Sequence, residues 1–413
     1  MASRRQVITG ALGAAAGSAL AGCTSAPGAH PQARWGAPGS TYTPGGVPST
    51  VAVTVTFTPA AAASNVSPTD PVLVSAAGGT LKAVTVAAGG ATVAGALGTD
   101  QHTWRSTGAL AYGQTYTITA TVADASGATA DKTSTFSTVK PSTTTSVAFQ
   151  ANSLAVLRSG GTYGVGQVVV VRFNRSVADK AAAQKAVVVE ASPSVEGRFF
   201  WLDKQTLHFR PEKYWAAGSR ITVKVNLFGV HLGNGNYGAG NDSISYNIGD
   251  SRVAVVDTSS YRMQVYINGQ QVKDFPISAG KGGTTKASDG STIDFFTRSG
   301  PHVVLERDQA VHMTSASYGI TNPKDPNYYA EDISLCLRIS YSGEYCHAAG
   351  WNIPDHGVRN VSHGCVNMNP EHAQWLYNTF TIGDVVEVRN SPVPLPVWDG
   401  LGDWAVPFGQ YGG

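Results

Sequence analysis

Charge is scarce in this sequence: 14% of its 413 residues are Asp, Glu, Lys or Arg, and the formal net charge is +2. A chain so near neutrality carries no electrostatic footprint for nucleic acid, and none is expected as a partner. Beyond the N-terminal segment no run is long and apolar enough to cross a bilayer as a helix. Helical periodicity is equally rare, with one clear case at Pro370 to Phe380. Gly, Ala, Ser, Thr and Val are abundant instead, which suits exposed β-domains with many turns better than a helical bundle. A chain of this length exceeds one ordinary core and suits two to four domains.

The N-terminus is organised differently. Arg4 and Arg5 give a positive start, Val7 to Leu20 is a short run of small and apolar residues, and Leu20-Ala21-Gly22-Cys23 closes it. This order reads as a signal peptide. Ser3-Arg4-Arg5-Gln6-Val7-Ile8 also resembles a twin-arginine export signal. The closing four residues resemble a bacterial lipobox, in which Cys23 is lipidated and becomes the mature N-terminus. The alternative is a plain signal peptide with an incidental cysteine. The other cysteines are Cys336, Cys346 and Cys365. Cys336 and Cys346 flank a hairpin signal at Ser342-Gly343, so they read either as a disulfide or as two buried thiols, and spacing alone leaves both open. Cys365 is left over, and an odd thiol in an exported protein is a candidate nucleophile.

Past the leader (1–23), residues 24–48 are rich in Gly, Pro, Ala and Ser and read as a flexible linker. Residues 49–140 hold short β-like runs such as Val51–Phe57 and Thr115–Val122, punctuated by turn residues, and suggest an immunoglobulin-like sandwich. Residues 141–249 repeat the theme with strands at Val168–Phe173 and Ile221–Val225 and a short helix over Val177–Ala186. Neither module shows a polar or aromatic cluster that demands a ligand, so both read as spacers. Residues 250–390 form a third, mostly β domain, with strands at Val253–Asp257 and Tyr261–Ile267, a hairpin signal at Asn268-Gly269, and a last strand at Asp384–Val388. Its helix has Asn369 as cap, Pro370 in the first turn and Gly383 beyond its end, with Ala373, Leu376 and Phe380 on one face. The tail 391–413 lacks a period, but Trp398 and Trp404 suggest that it folds back on the protein.

Chemistry concentrates at Tyr345-Cys346-His347-Ala348 and Val361-Ser362-His363-Gly364-Cys365-Val366-Asn367. A cysteine attacks as its thiolate, a histidine can take its proton and return it to a leaving amine, and a third group should hold the other ring nitrogen. Gly364 permits a tight turn, after which the N–H groups of Gly364 and Cys365 can face an oxyanion. A zinc site of His347, His356, His363 and Cys365 is a rival, but one residue between His363 and Cys365 is too tight for usual ligand spacing and no glutamate base stands by.

His347 followed by Ser362-His363-Gly364-Cys365-Val366-Asn367 resembles the motif of the L,D-transpeptidases, the YkuD-type catalytic domain, over about residues 250 to 390. The modules ahead of it are similar to mycobacterial and actinobacterial members with two immunoglobulin-like domains; Pro211–Trp215 and Phe228–Val230 are in keeping with the domain adjoining the catalytic one. The resemblance implies that Cys365 attacks a peptidoglycan tetrapeptide stem, releases D-Ala, and passes the acyl group to the third-residue amine of another stem. It implies His347 as base, oriented by the carbonyl of Ala348, where related enzymes often carry Ser. His363 would shape the pocket, and Ser362 and Asn367 would brace the motif. A lid would run from about Met313 to Tyr329, with Met313, Tyr318, Tyr329 and Trp351 in the substrate cleft. No cofactor or metal is implied. Donor and acceptor stems, carbapenem-type inhibitors and the membrane, through a lipid on Cys23, are the expected partners, and the outer face of the cell membrane the expected location. An L,D-carboxypeptidase on the same site, or a wall-binding lipoprotein without activity, are the alternatives.

Overall fold

The computed structural model describes residues 53–412. The leader, Cys23 and the linker 24–48 lie outside these residues.

Alternation of small polar and apolar side chains builds the first module. In Thr115–Ala123 the residues Tyr116, Ile118, Ala120 and Val122 are buried, the two-residue period of a strand with one covered face. Two four-stranded sheets result. One orders Thr54–Thr58, Leu73–Ala77, Thr103–Ser106 and Gly95–Leu97; the other orders Ala91–Thr92, Thr80–Ala88, Thr115–Ala123 and Thr129–Ser137. Val74, Leu81, Trp104, Ile118 and Phe136 fill the space between them.

The second module is also a sandwich, of a five-stranded and a four-stranded sheet. Its central strand, Val169–Phe173, shows no alternation, and Val168 to Val171 are all buried. A strand without alternation is one covered on both faces. Val169 and Val171 face the sandwich core, while Val168 and Val170 pack with Val303, Leu305 and Leu401 of the following domain and tail. The helix is shorter than the sequence suggests, Lys180–Lys185, because Asp179 caps it by accepting from the Ala182 N–H at 2.9 Å. Between the sandwiches, the Tyr112 hydroxyl donates to Gly238 O and accepts from Gly229 N–H, each at 2.8 Å.

The third domain is built on one nine-stranded sheet. Its strands are β1 Arg252–Asp257, β2 Arg262–Ile267, β3 Gln270–Ser278, β4 Gly300–Val303, β5 Glu306–Thr314, β6 Ala330–Arg338, β7 Tyr345–Ala348, β8 Val366–Met368 and β9 Val385–Arg389. They lie in the order β4-β9-β1-β2-β3-β8-β7-β6-β5. The β2–β3 turn has Asn268 and Gly269 at φ 48° and 81°, the left-handed pair that a two-residue hairpin of this twist requires. The helix Pro370–Thr379 is capped by Asn369 and buries Ala373 and Leu376 against the sheet, with Phe380 just past its end.

The seam between the second sandwich and this domain is made of backbone. Gly164 N–H donates to Ile382 O at 2.9 Å and Gly166 N–H to Gly383 O at 2.8 Å. Asn152 Nδ2 donates to Leu305 O at 2.9 Å. The tail folds back across it: Trp404 Nε1 donates to Gly166 O at 2.7 Å, and the Arg210 guanidinium sits 4.4 Å from the Tyr411 ring centre. Trp398 does not share in this and stays 59% exposed.

A methyl group on Gly164 would lie 2.1 Å from Asp384 N. Gly164→Ala should therefore cost about 1–3 kcal/mol through overpacking, read as a lowered Tm in calorimetry; an unchanged Tm would show that the seam yields to a methyl group there without cost.

Candidate active site

Strands β7 and β8 run parallel, with Cys346 opposite Val366, His347 opposite Asn367 and Ala348 opposite Met368. Residues paired across a sheet share a face, and neighbours along a strand alternate. Cys346, Ala348, Val366 and Met368 therefore point into the helix-covered core. Tyr345, His347 and Asn367 point the other way. Cys365, one residue before β8, packs on that second face with Met313, Ile333, Tyr329 and Tyr345.

The same pleat decides the disulfide question. Leu337 of β6 pairs with Cys346, so the adjacent Cys336 projects from the opposite face. Cys336 packs beneath the lid and Cys346 in the core, and both are free, buried thiols. The disulfide alternative is thereby corrected.

His347 is buried, and its Nδ1 lies 2.9 Å from Ala348 O. A carbonyl only accepts, so Nδ1 carries the proton and Nε2 presents its lone pair. Burial pulls this imidazole down to about 4, against the pull of the Ala348 hydrogen bond. Burial pushes the Cys365 thiol up to about 12; the Tyr345 N–H works against that push and the Glu344 carboxyl adds to it. At neutral pH the resting pair is thus thiol and neutral imidazole.

The loop before β8 is pinned from below. Gly364 has φ 142°, open to glycine and strained for other residues. Its carbonyl accepts from Thr297 Oγ1 at 2.7 Å, and Thr297 Oγ1 accepts from Gly280 N–H at 2.9 Å. Ser362 Oγ donates to Cys365 O at 2.6 Å and accepts from Gly364 N–H at 3.1 Å. The Gly364 N–H is therefore already engaged and is not free for an oxyanion, which corrects that part of the expectation. The Cys365 N–H has no partner among the described residues.

His363 stands edge-on to Phe295, with ring centres 5.0 Å apart, and tilted to Tyr329 at 5.2 Å. Its Nε2 lies 3.2 Å from Lys281 Nζ, which can only donate, so Nε2 accepts. Burial and then the Lys281 charge lower this imidazole to about 4. Lys281 Nζ also donates to Asn327 Oδ1 of the lid at 2.7 Å. The segment expected as a lid is tied at its base by Ser315, whose buried Oγ accepts from Tyr329 N–H at 3.1 Å and lies 2.9 Å from Ile320 O.

Two cavities meet at the thiol. One, of about 490 Å³, is lined by Tyr318, Gly364, Glu344 and two arginines, Arg298 and Arg338. The other, of about 300 Å³, is lined by His347, Trp351, Ser362, Asn367 and Glu331. Met313, Tyr329, His363 and Cys365 line both. The four catalytic and six substrate-cleft candidates from the sequence each line one or both of these cavities. Trp351 covers His347, with ring centres 6.0 Å apart, while remaining 59% exposed. Sequence reading missed Lys281, Thr297, Glu331 and Glu344. They come from separate segments and carry no local motif. Among the described residues no group of three or more His, Cys, Asp or Glu side chains could hold a metal ion.

Comparison with known proteins gives the family. A family model described as the L,D-transpeptidase catalytic domain matches residues 251–388, and one described as a bacterial Ig domain matches residues 63–231. L,D-transpeptidase 2 of Mycobacterium tuberculosis (strain CDC 1551 / Oshkosh) is 38% identical over 343 residues, 83% of this chain and 79% of that protein. L,D-transpeptidase 5 of Mycobacterium tuberculosis (strain ATCC 25618 / H37Rv) is 32% identical over 358 residues, 85% of this chain and 74% of that protein. A solved L,D-transpeptidase from Mycobacterium smegmatis is 27% identical, with 59% of this chain and 100% of that one covered at a TM-score of 0.47. The class is that of the transpeptidases, enzymes that transfer acyl groups. Within it, the chain belongs to the L,D-transpeptidase family, with bacterial immunoglobulin-like structure ahead of the catalytic domain.

A neutral resting thiol has a kinetic signature. Alkylation of Cys365 by iodoacetamide, followed by peptide mapping, should rise about tenfold per pH unit between about pH 7 and 9, as the thiolate fraction does. A plateau with a midpoint below about pH 7 would mean a resting thiolate–imidazolium pair instead.

Proposed function

We propose that this protein is a peptidoglycan L,D-transpeptidase in which Cys365 is the nucleophile and His347 the base. The observation that carries this reading is a single thiol reached from two cavities, with a histidine whose protonated nitrogen is held by a backbone carbonyl. As the thiol attacks the carbonyl before the terminal D-Ala of a tetrapeptide stem, its proton passes to His347 Nε2. The tetrahedral oxyanion is held by the Cys365 N–H. His347 then protonates the departing D-Ala nitrogen, the C–N bond breaks and a thioester remains. The third-residue side-chain amine of another stem takes the acyl group and forms a 3-3 cross-link. Tyr318, Tyr329, Met313 and Trp351 would hold the stems against the thiol.

An L,D-carboxypeptidase would share the first half and let water take the acyl group. Similarity to proteins named L,D-transpeptidases favours transfer. The reading includes export and lipidation at Cys23, so that the protein acts in the wall from the outer face of the membrane. A linker of about 25 residues would extend the reach by some tens of Å.

Mass spectrometry of the purified protein with a disaccharide tetrapeptide checks the reading. A cross-linked dimer with loss of one D-Ala per bond is expected, and Cys365→Ala should abolish it; tripeptide and free D-Ala without dimer would make the enzyme a carboxypeptidase. Carbapenems should acylate Cys365, because a strained lactam carbonyl mimics the scissile amide. Intact mass should rise by one inhibitor on the wild type and not on Cys365→Ala, and an adduct on the variant would move the nucleophile elsewhere.

A further inference from the structure

The two cavities that meet at Cys365 differ in charge, and the base belongs to one of them. His347 lines the smaller cavity and not the larger. In acyl transfer the leaving and entering nitrogens cross the same carbonyl carbon and exchange a proton with the same base. Both nitrogens are therefore served in the smaller cavity, while the rest of the acyl donor occupies the larger, whose walls carry both signs: Asp294 and Glu344 with Arg298 and Arg338, the arginines lying 3.3 Å from Asp294 and 3.4 Å from Glu306. The walls of the smaller cavity contain no lysine or arginine and one carboxylate, Glu331. Glu331 stands at the start of β6, paired with Met313 of β5, and is exposed. Its carboxylate has no hydrogen-bond or ion-pair partner among the described residues. An unpaired carboxylate at this place is free to act on a nucleophile that enters the smaller cavity.

We propose that Glu331 selects the acceptor, drawing an ammonium-bearing nucleophile into the His347 cavity in preference to water. The proposal rests on the acyl-transfer reading above. One carboxylate acts oppositely on the two amines that use the cavity. Departing D-Ala carries a carboxylate and is repelled, while the incoming stem carries an ammonium and is attracted. The acceptor ammonium gives one proton to solvent. Its nitrogen lone pair then forms the C–N bond to the thioester carbonyl, and its second proton passes to His347 Nε2. The C–S bond breaks to leave the Cys365 thiolate, which His347 reprotonates. Glu331 takes no proton in this sequence; it raises the local concentration of the cation that water lacks.

The test reads how the thioester is partitioned. The purified full chain, as wild type, Glu331→Gln and Glu331→Lys, is given the tetrapeptide donor, and the ratio of cross-linked dimer to hydrolysed tripeptide is measured. Hydroxylamine, uncharged at neutral pH, serves as a second nucleophile, read as hydroxamate over tripeptide. The dimer ratio should fall about fivefold in Glu331→Gln, the worth of one exposed ion pair, and further in Glu331→Lys. The hydroxamate ratio should move less than about twofold. A dimer ratio unchanged in both variants would overturn the proposal. So would dimer and hydroxamate ratios falling together, which would indicate a change of cavity shape rather than of charge. A wild type that makes tripeptide without dimer would overturn acceptor selection yet leave the thioester reading in place. Absence of any Cys365-dependent product would remove both.

Discussion

The parallel pairing of β7 and β8 is the constraint on which the site depends. Its register sets His347 beside Asn367 and brings Cys365 alongside Tyr345, so that thiol and imidazole emerge on one face. A slip of one residue between the two strands would turn one pair, either Tyr345 and His347 or Cys365 and Asn367, into the helix-covered core and part the thiol from the imidazole. The register is held from both sides. The core side is filled by Cys346, Ala348, Val366 and Met368 against Ala373 and Leu376. The other side is pinned by Ser362 and Thr297, which engage the backbone of Gly364 and Cys365.

That arrangement keeps a reactive pair uncharged until it is used. Burial disfavours both the thiolate and the imidazolium, and Glu344, itself buried beneath the motif, disfavours the thiolate further. Oε1 of Glu344 accepts from the Arg298 N–H at 2.7 Å, and its other oxygen faces His302 at 3.8 Å. Charge then develops only when a carbonyl is present to receive the sulfur and an N–H to receive the oxyanion. Packing supports this state by keeping the thiol half-buried between Tyr329, Met313 and Ile333.

The seam with the second sandwich stiffens the far edge of the same sheet. A strand buried on both faces presents Val168 and Val170 to Val303 and Leu305, the latter just before β5, which leads directly to the lid. Backbone hydrogen bonds at Gly164 and Gly166 and the returning tail close the joint. The second module is thus a packed neighbour of the catalytic sheet as well as a spacer.

Much of this was legible in the chain. The two-residue period of Thr115–Ala123, the Asn268-Gly269 turn and the capped helix at Pro370 are local patterns, and local stereochemistry decides them. His347 and Ser362 to Asn367 were legible because a motif on adjacent strands keeps its members close in sequence. The run Val168–Val171 announced a strand but not the surface that would cover its second face. Whether Cys336 and Cys346 could bond was undecidable from spacing, since the answer lay in which way the pleat turned each side chain. Lys281, Thr297, Glu331 and Glu344 gave no signal at all. Residue type and neighbour pattern determined the elements and the reacting pair, because both act over a few residues. Tertiary structure alone decided what surrounds that pair, because burial, charge and hydrogen bonding there are contributed by segments far apart along the chain.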